Sequence, residues 1–119
     1  MANSLNVLPQ LKDELRIELF DAAHAVNVDV LATTFHACHR EYCHHESGVE
    51  FQILNFMELI GEAMGLHHPD HYKRLKMMND VDAMVSAMQE NIVHHNLDLE
   101  AVREALWIDM FAAVPPARV

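Results

Sequence analysis

Apolar residues recur at three- and four-residue steps through almost every segment of this chain, the spacing of one face of an α-helix. Leu8, Leu11, Leu15, Leu19, Ala22 and Val26 predict a first helix over about 9–25, with Pro9 suited to its opening turn and the leucines facing inward. Asn27 then reads as the N-cap of a second helix, with Asp29 in its first turn and an inward stripe of Val28, Leu31, Phe35, Cys38 and Tyr42. Ser47 and Glu50 have the spacing of a capping box. The run VEFQILNFMELIGEAM that follows is apolar nearly all round, so the third helix, about 48–65, is predicted to be central and most buried, with Gly65 as its stop. Pro69 opens a fourth helix through about Met78. Asn79 or Asp80 caps a fifth, with Val81, Met84, Val85, Met88 and Ile92 inward, and Asp98 caps a last one with Leu97 and Val102 as a hydrophobic staple, ending before Pro115-Pro116. The expectation is an all-α fold: a single domain over 1–119, built as a compact bundle of five to six helices.

Composition narrows the function. At 119 residues and 51% hydrophobic content the chain can bury a core without staples. No apolar run approaches the roughly 20 residues of a membrane span, and no charged, apolar leader opens the chain, so a soluble, cytoplasmic protein is expected. Cys38 and Cys43 are the only cysteines; five apart on a helix they diverge by about 140° and cannot bridge locally, which suits a reducing compartment. Eighteen acids against eight bases give a formal charge of −10. Such a surface repels the phosphate backbone, which argues against direct nucleic-acid binding, and attracts basic proteins. Lys73, Arg74 and Lys76 form the one basic island.

Two cysteines and four histidines fall within His36–His45, which raises the question of zinc. On a helical wheel His36, His39 and Cys43 share one face, within about 60° of each other, so they are the zinc candidates, needing a fourth ligand from elsewhere. The favoured reading is different: His24, His44-His45, His67-His68 and His94-His95 each stand at or just past a predicted helix C-terminus, where a donor suits the orphan carbonyls and the helix dipole.

The third helix carries Glu58 and Glu62, four apart with no basic neighbour in sequence, and Asp80 and Asp82 open a later one. Here the sequence resembles the MazG-like all-α nucleotide pyrophosphohydrolases. FMELIGEAMG is similar to the glutamate-rich helix of that family, and NDVD followed by HHNLDLEAVREAL to its later metal helix, over roughly 51–106. The family's Glu-Glu-x-x-Glu stands here with Met57 and Leu59 around Glu58, and its Glu-x-x-Asp as Asn79-x-x-Asp82. The resemblance implies Mg²⁺ held by Glu58, Glu62 and Asp82.

A surface reading competes with it. On the first helix Ile17 and Phe20 lie away from the leucine stripe, flanked by Asp13, with Glu14, Glu18 and Asp21 as an acidic edge. An apolar spot rimmed by acids is a protein interface in outline. The first expectation is therefore a non-enzymatic inhibitor or adaptor without a cofactor, using Asp13, Glu14, Ile17, Glu18, Phe20 and Asp21 to bind a basic, nucleic-acid-binding protein; a homodimer through Ile17 and Phe20 would use the same surface. In size and charge it is similar to small acidic inhibitors of phage and mobile elements, including anti-CRISPR proteins. A degenerate Mg²⁺-dependent pyrophosphohydrolase is the alternative.

Overall fold

The computed structural model describes residues 7–111. The protein is predominantly helical, and the described residues form six α-helices and one small sheet: α1 Pro9–Ala25, β1 Val30–Thr33, α2 His36–Tyr42, β2 Gln52–Asn55, α3 Phe56–Ala63, α4 His71–Met78, α5 Val81–His94 and α6 Leu99–Leu106. A 3₁₀ turn, Cys43–Gly48, follows α2, and a π-helical turn, Trp107–Phe111, follows α6. The chain divides into two compact units, Met1–Lys73 and Arg74–Val119. The expected helix end before Pro115-Pro116 lies outside the described residues.

In the first unit β1 and β2 pair in parallel, Val30 with Gln52 through Thr33 with Asn55, and the crossover between them carries α2 and the 3₁₀ turn. This corrects the second and third predicted helices. The sequence around β1, VDVLATT, is rich in β-branched residues, which lose side-chain freedom in a helix and fit a pleated surface. In β2 both Ile53 and Leu54 are buried, as in a strand covered on both faces. What remains of the predicted central helix is α3, eight residues long with none of them buried. Its capping box is Asn55–Glu58, not Ser47–Glu50: Asn55 Oδ1 accepts from the Met57 N–H and Glu58 Oε2 from the Asn55 N–H at 2.7 Å.

Asn27 is also corrected. It takes a left-handed φ of 53°, and its N–H bonds to the His24 carbonyl while that of Val28 reaches back to Ala23, so it ends α1 in a Schellman motif. Gly65 after α3 and Asn96 after α5 repeat the pattern, with Leu66 bonded to Gly61 and Leu97 to Ile92. Asparagine serves both as N-cap and as left-handed C-terminal residue, which is why sequence placed Asn27 on the wrong helix.

Helix α1 has its predicted limits but is rolled. Lys12, Phe20 and Ala23 are its buried residues. Phe20 meets Phe51, Tyr42 and His45 edge-on at 5.7–6.0 Å, Arg16 lies over its ring, and Lys12 pairs with Glu41. The leucine stripe faces outward instead: Leu8, Leu11, Leu15 and Leu19 are 37–53% exposed.

The second unit follows its sequence. Leu75, Met84, Val85, Ile92 and Leu106 form its core, with Val81, Met88 and Val102 against them. Asp80 caps α5 through the Ala83 N–H at 2.8 Å, and Asp98 caps α6 through Ala101 at 2.8 Å. Asp80→Ala should therefore lower stability by about 1 kcal/mol, measured by urea denaturation with Trp107 fluorescence; a change of less than about 0.3 kcal/mol would mean that the cap contributes nothing.

Candidate functional site

Three side chains from three elements of the first unit converge: His39 of α2, Glu58 in the first turn of α3, and Asp70 just before α4. One ligand atom from each lies within 4.8 Å of the others, and among the described residues this is the one such group of His, Cys, Asp or Glu. His39 is 4% exposed. Its Nε2 stands 2.6 Å from Asp70 Oδ2 and 3.9 Å from Glu58 Oε2. Its Nδ1 is 3.4 Å from Thr33 Oγ1, and that hydroxyl donates to the Leu54 carbonyl at 3.2 Å.

Each carboxylate is placed by a helix start. Asp70 Oδ1 accepts the Lys73 backbone N–H at 2.9 Å, an N-cap interaction that leaves Oδ2 for the histidine. Burial pushes the Asp70 carboxyl up, but the Lys73 N–H, the His39 hydrogen bond and charge, and the Lys73 ammonium outweigh it and hold its pKa below the ordinary value. Glu58 is fixed by the capping box. Beside it opens a cleft of about 610 Å³ with Met57, Ile60, Met64 and Leu66 on its walls and Glu58 among its lining.

Proton counting defines what His39 can do. A hydroxyl has one proton; with that of Thr33 given to the Leu54 carbonyl at 3.2 Å, the His39 tautomer that fits the 3.4 Å contact is the one with a proton on Nδ1. Nε2 faces the two carboxylates as an N–H, of the neutral ring or of an imidazolium, or, with the single proton on Nδ1, as a bare lone pair. A lone pair against anionic oxygens repels, so a cation, a proton or a metal ion, belongs between them.

The predicted zinc set is not assembled. His36 is exposed, and Cys43, placed beside it on the wheel, is fully buried at 0% exposure, whereas Cys38, predicted for the core, is half-buried. Cys43 still follows His39 at helical spacing, with αR dihedrals and its N–H on the His39 carbonyl, but it is buried in the core while His36, in the first turn of α2, is exposed. Of the Mg²⁺ set only Glu58 joins the convergent group. Glu62 is exposed, and Asp82 belongs to the second unit, where it pairs with Arg103. Each set thus contributes one residue to the convergent group. Asp70 and Thr33 were missed; the signal for Asp70 was an acid between Pro69 and a helix start.

Of the six predicted contact residues on α1, Asp13, Glu14, Ile17, Glu18 and Asp21 are exposed. Phe20 is 6% exposed, a core residue and no part of an outer surface. The outward leucines supply the apolar area in its place, and on the wheel Glu14, Glu18 and Asp21 run along one border of that stripe, while Lys12 and Arg16 lie on its other border. Lys73 of the basic island turns inward to Glu46 at 2.7 Å. No helix among the described residues is long and apolar enough to cross a membrane.

No family model, no curated protein and no solved structure matches this chain.

Proposed function

We propose that this protein is a non-enzymatic inhibitor or adaptor whose α1 takes a basic amphipathic helix of another protein, as a nucleic-acid-binding partner would present. The observation that carries this reading is the exposed stripe of Leu8, Leu11, Leu15 and Leu19 with the exposed acids Glu14, Glu18 and Asp21 along one edge. An apolar helix face that its own fold leaves uncovered marks an interaction site, and a partner helix laid along it would bury that face. The acidic edge selects lysine and arginine on the partner's matching border and speeds encounter. A second copy fits less well: in a two-fold antiparallel pair of α1 helices the same border of each meets the other, acid against acid.

The test is a pair of labelled helical peptides with the same leucine stripe, one edged with lysine and one with glutamate. The lysine-edged peptide should bind and the glutamate-edged one should not. Three rim pairs at roughly 0.2–1 kcal/mol each, turned from attraction to repulsion, should cost at least about tenfold in affinity, so Glu14→Lys/Glu18→Lys/Asp21→Lys weakens binding by that much with the circular dichroism unchanged. Equal binding of both peptides, or a dimer in sedimentation that Leu15→Asp dissolves, would defeat the reading.

A further inference from the structure

We infer that His39, Glu58 and Asp70 form a binding site for a divalent transition-metal ion, with His39 Nε2 and one oxygen of each carboxylate as ligands. The donor set, one imidazole and two carboxylates, suits Zn²⁺, Mn²⁺ and Fe²⁺, and a thiolate, which would select softer ions, is absent from it.

Four features of the site agree. The first is charge: two carboxylates and a neutral imidazole carry −2, which one divalent ion neutralises, whereas a proton on His39 leaves −1 in a place where the imidazole is 4% exposed. Lys73 does not close the difference at contact distance, because its ammonium is bound to Glu46 Oε2 at 2.7 Å and to the Ile53 carbonyl at 3.1 Å.

The second is tautomer. Metal-binding histidines donate their other N–H to an oxygen, which orients the ring and turns the lone pair to the ion. Thr33 Oγ1, 3.4 Å from Nδ1 and bonded to the Leu54 carbonyl at 3.2 Å, is placed to be that oxygen. The third is distance. Ligands at about 2.1 Å from an ion lie about 3.0 Å apart in an octahedron and about 3.4 Å apart in a tetrahedron. The observed 2.6 Å and 3.9 Å from Nε2 straddle those values, so either geometry is reached when one oxygen moves by about half an ångström and the other by just under one. The fourth is access: Glu58 borders the 610 Å³ cleft, which gives an ion a route in and leaves room for water on its open side.

The experiment is calorimetric titration of untagged, chelator-treated full-length protein with Zn²⁺ and with Mn²⁺. One Zn²⁺ should bind per chain. Glu58→Gln keeps a capping-box acceptor and Asp70→Asn keeps an N-cap acceptor, so both variants should fold as judged by circular dichroism, and each should weaken Zn²⁺ binding at least about 100-fold. Thr33→Val should weaken it about 10- to 100-fold and Thr33→Ser should restore it. Replacing His36, His67 and His68 together by glutamine should leave this binding unchanged. Absence of one-to-one binding by the wild-type chain would show that a proton alone holds His39 between the acids and overturns the proposal. Wild-type affinity in Glu58→Gln and Asp70→Asn would overturn it equally, by placing the ion on other histidines.

Discussion

Phe20→Ala should lower the stability of the first unit by about 3–5 kcal/mol, the usual cost of emptying a well-packed aromatic site, while Leu15→Ala, one turn earlier on the same helix, should change it by no more than about 0.5 kcal/mol. Phe20 is 6% exposed and touches Tyr42, His45 and Phe51 edge-on. Phe20 is the large apolar residue by which α1 packs on Phe51 and Ile53; Ala23 and the His24 ring, 5.1 Å from that of Phe51, remain, but neither fills its volume and the leucines face outward. Leu15 at 42% exposure has little burial to lose. Urea denaturation followed by amide NMR signals of residues 8–73, which belong to the first unit, measures both. Equal costs for the two variants would put α1 back in its predicted orientation, leucines inward, and would remove the surface on which the proposed function rests.

The same helix shows how far the sequence could be read. Periodicity located α1, α5 and α6 because each is an uninterrupted helix whose limits are set by local chemistry: Pro9 at the start of α1, and Asp80 and Asp98 as N-caps. Which face of α1 turned inward was not local. The inward face depends on what the rest of the unit offers, here a site for one aromatic ring between Phe51 and Tyr42, and a count of leucines carries no information about that site. The strands were hidden for a related reason. Four-residue apolar runs such as VLAT and QILN are too short for a two-residue period to be told from a helical one, and their pairing joins positions 22 apart in sequence, Val30 to Gln52. Those strands leave only α2 of the predicted second helix, and on it His36 is exposed, Cys43 is buried and His39 turns to Glu58 and Asp70, so the trio of His36, His39 and Cys43 is not assembled. His39 was a metal-ligating candidate from its place on a helical wheel, and Glu58 from its spacing to Glu62 and the MazG-like resemblance; that they meet, and that Asp70 joins them, follows from the crossover between β1 and β2 and the start of α4.

Glu46→Ala should cost about 3–5 kcal/mol, a loss as large as that of Phe20, although glutamate in a 3₁₀ turn would ordinarily count as a surface residue. Glu46 Oε2 accepts the Ile53 N–H at 2.7 Å and the Lys73 ammonium at 2.7 Å, and the same ammonium donates to the Ile53 carbonyl at 3.1 Å. In a parallel ladder the N–H and C=O of one residue point to the same side, and both of these groups of Ile53 are held by Glu46 and Lys73. The ion pair therefore occupies the edge of β2 where a third strand would bind, and satisfies the backbone of a residue that is 0% exposed. With side chains only 23% and 14% exposed, Glu46 and Lys73 belong to the class in which deleting one partner strands the other charge, at about 3–5 kcal/mol. Glu46→Gln retains an acceptor for Ile53 and should cost less, about 1–3 kcal/mol. Glu46→Gln combined with Lys73→Met should cost less than the two single changes added together, because the double variant leaves no charge unpaired. Urea denaturation of the four proteins measures the coupling. A cost below about 1 kcal/mol for Glu46→Ala would mean that water reaches the β2 edge and that the two-stranded sheet stands without its ionic border.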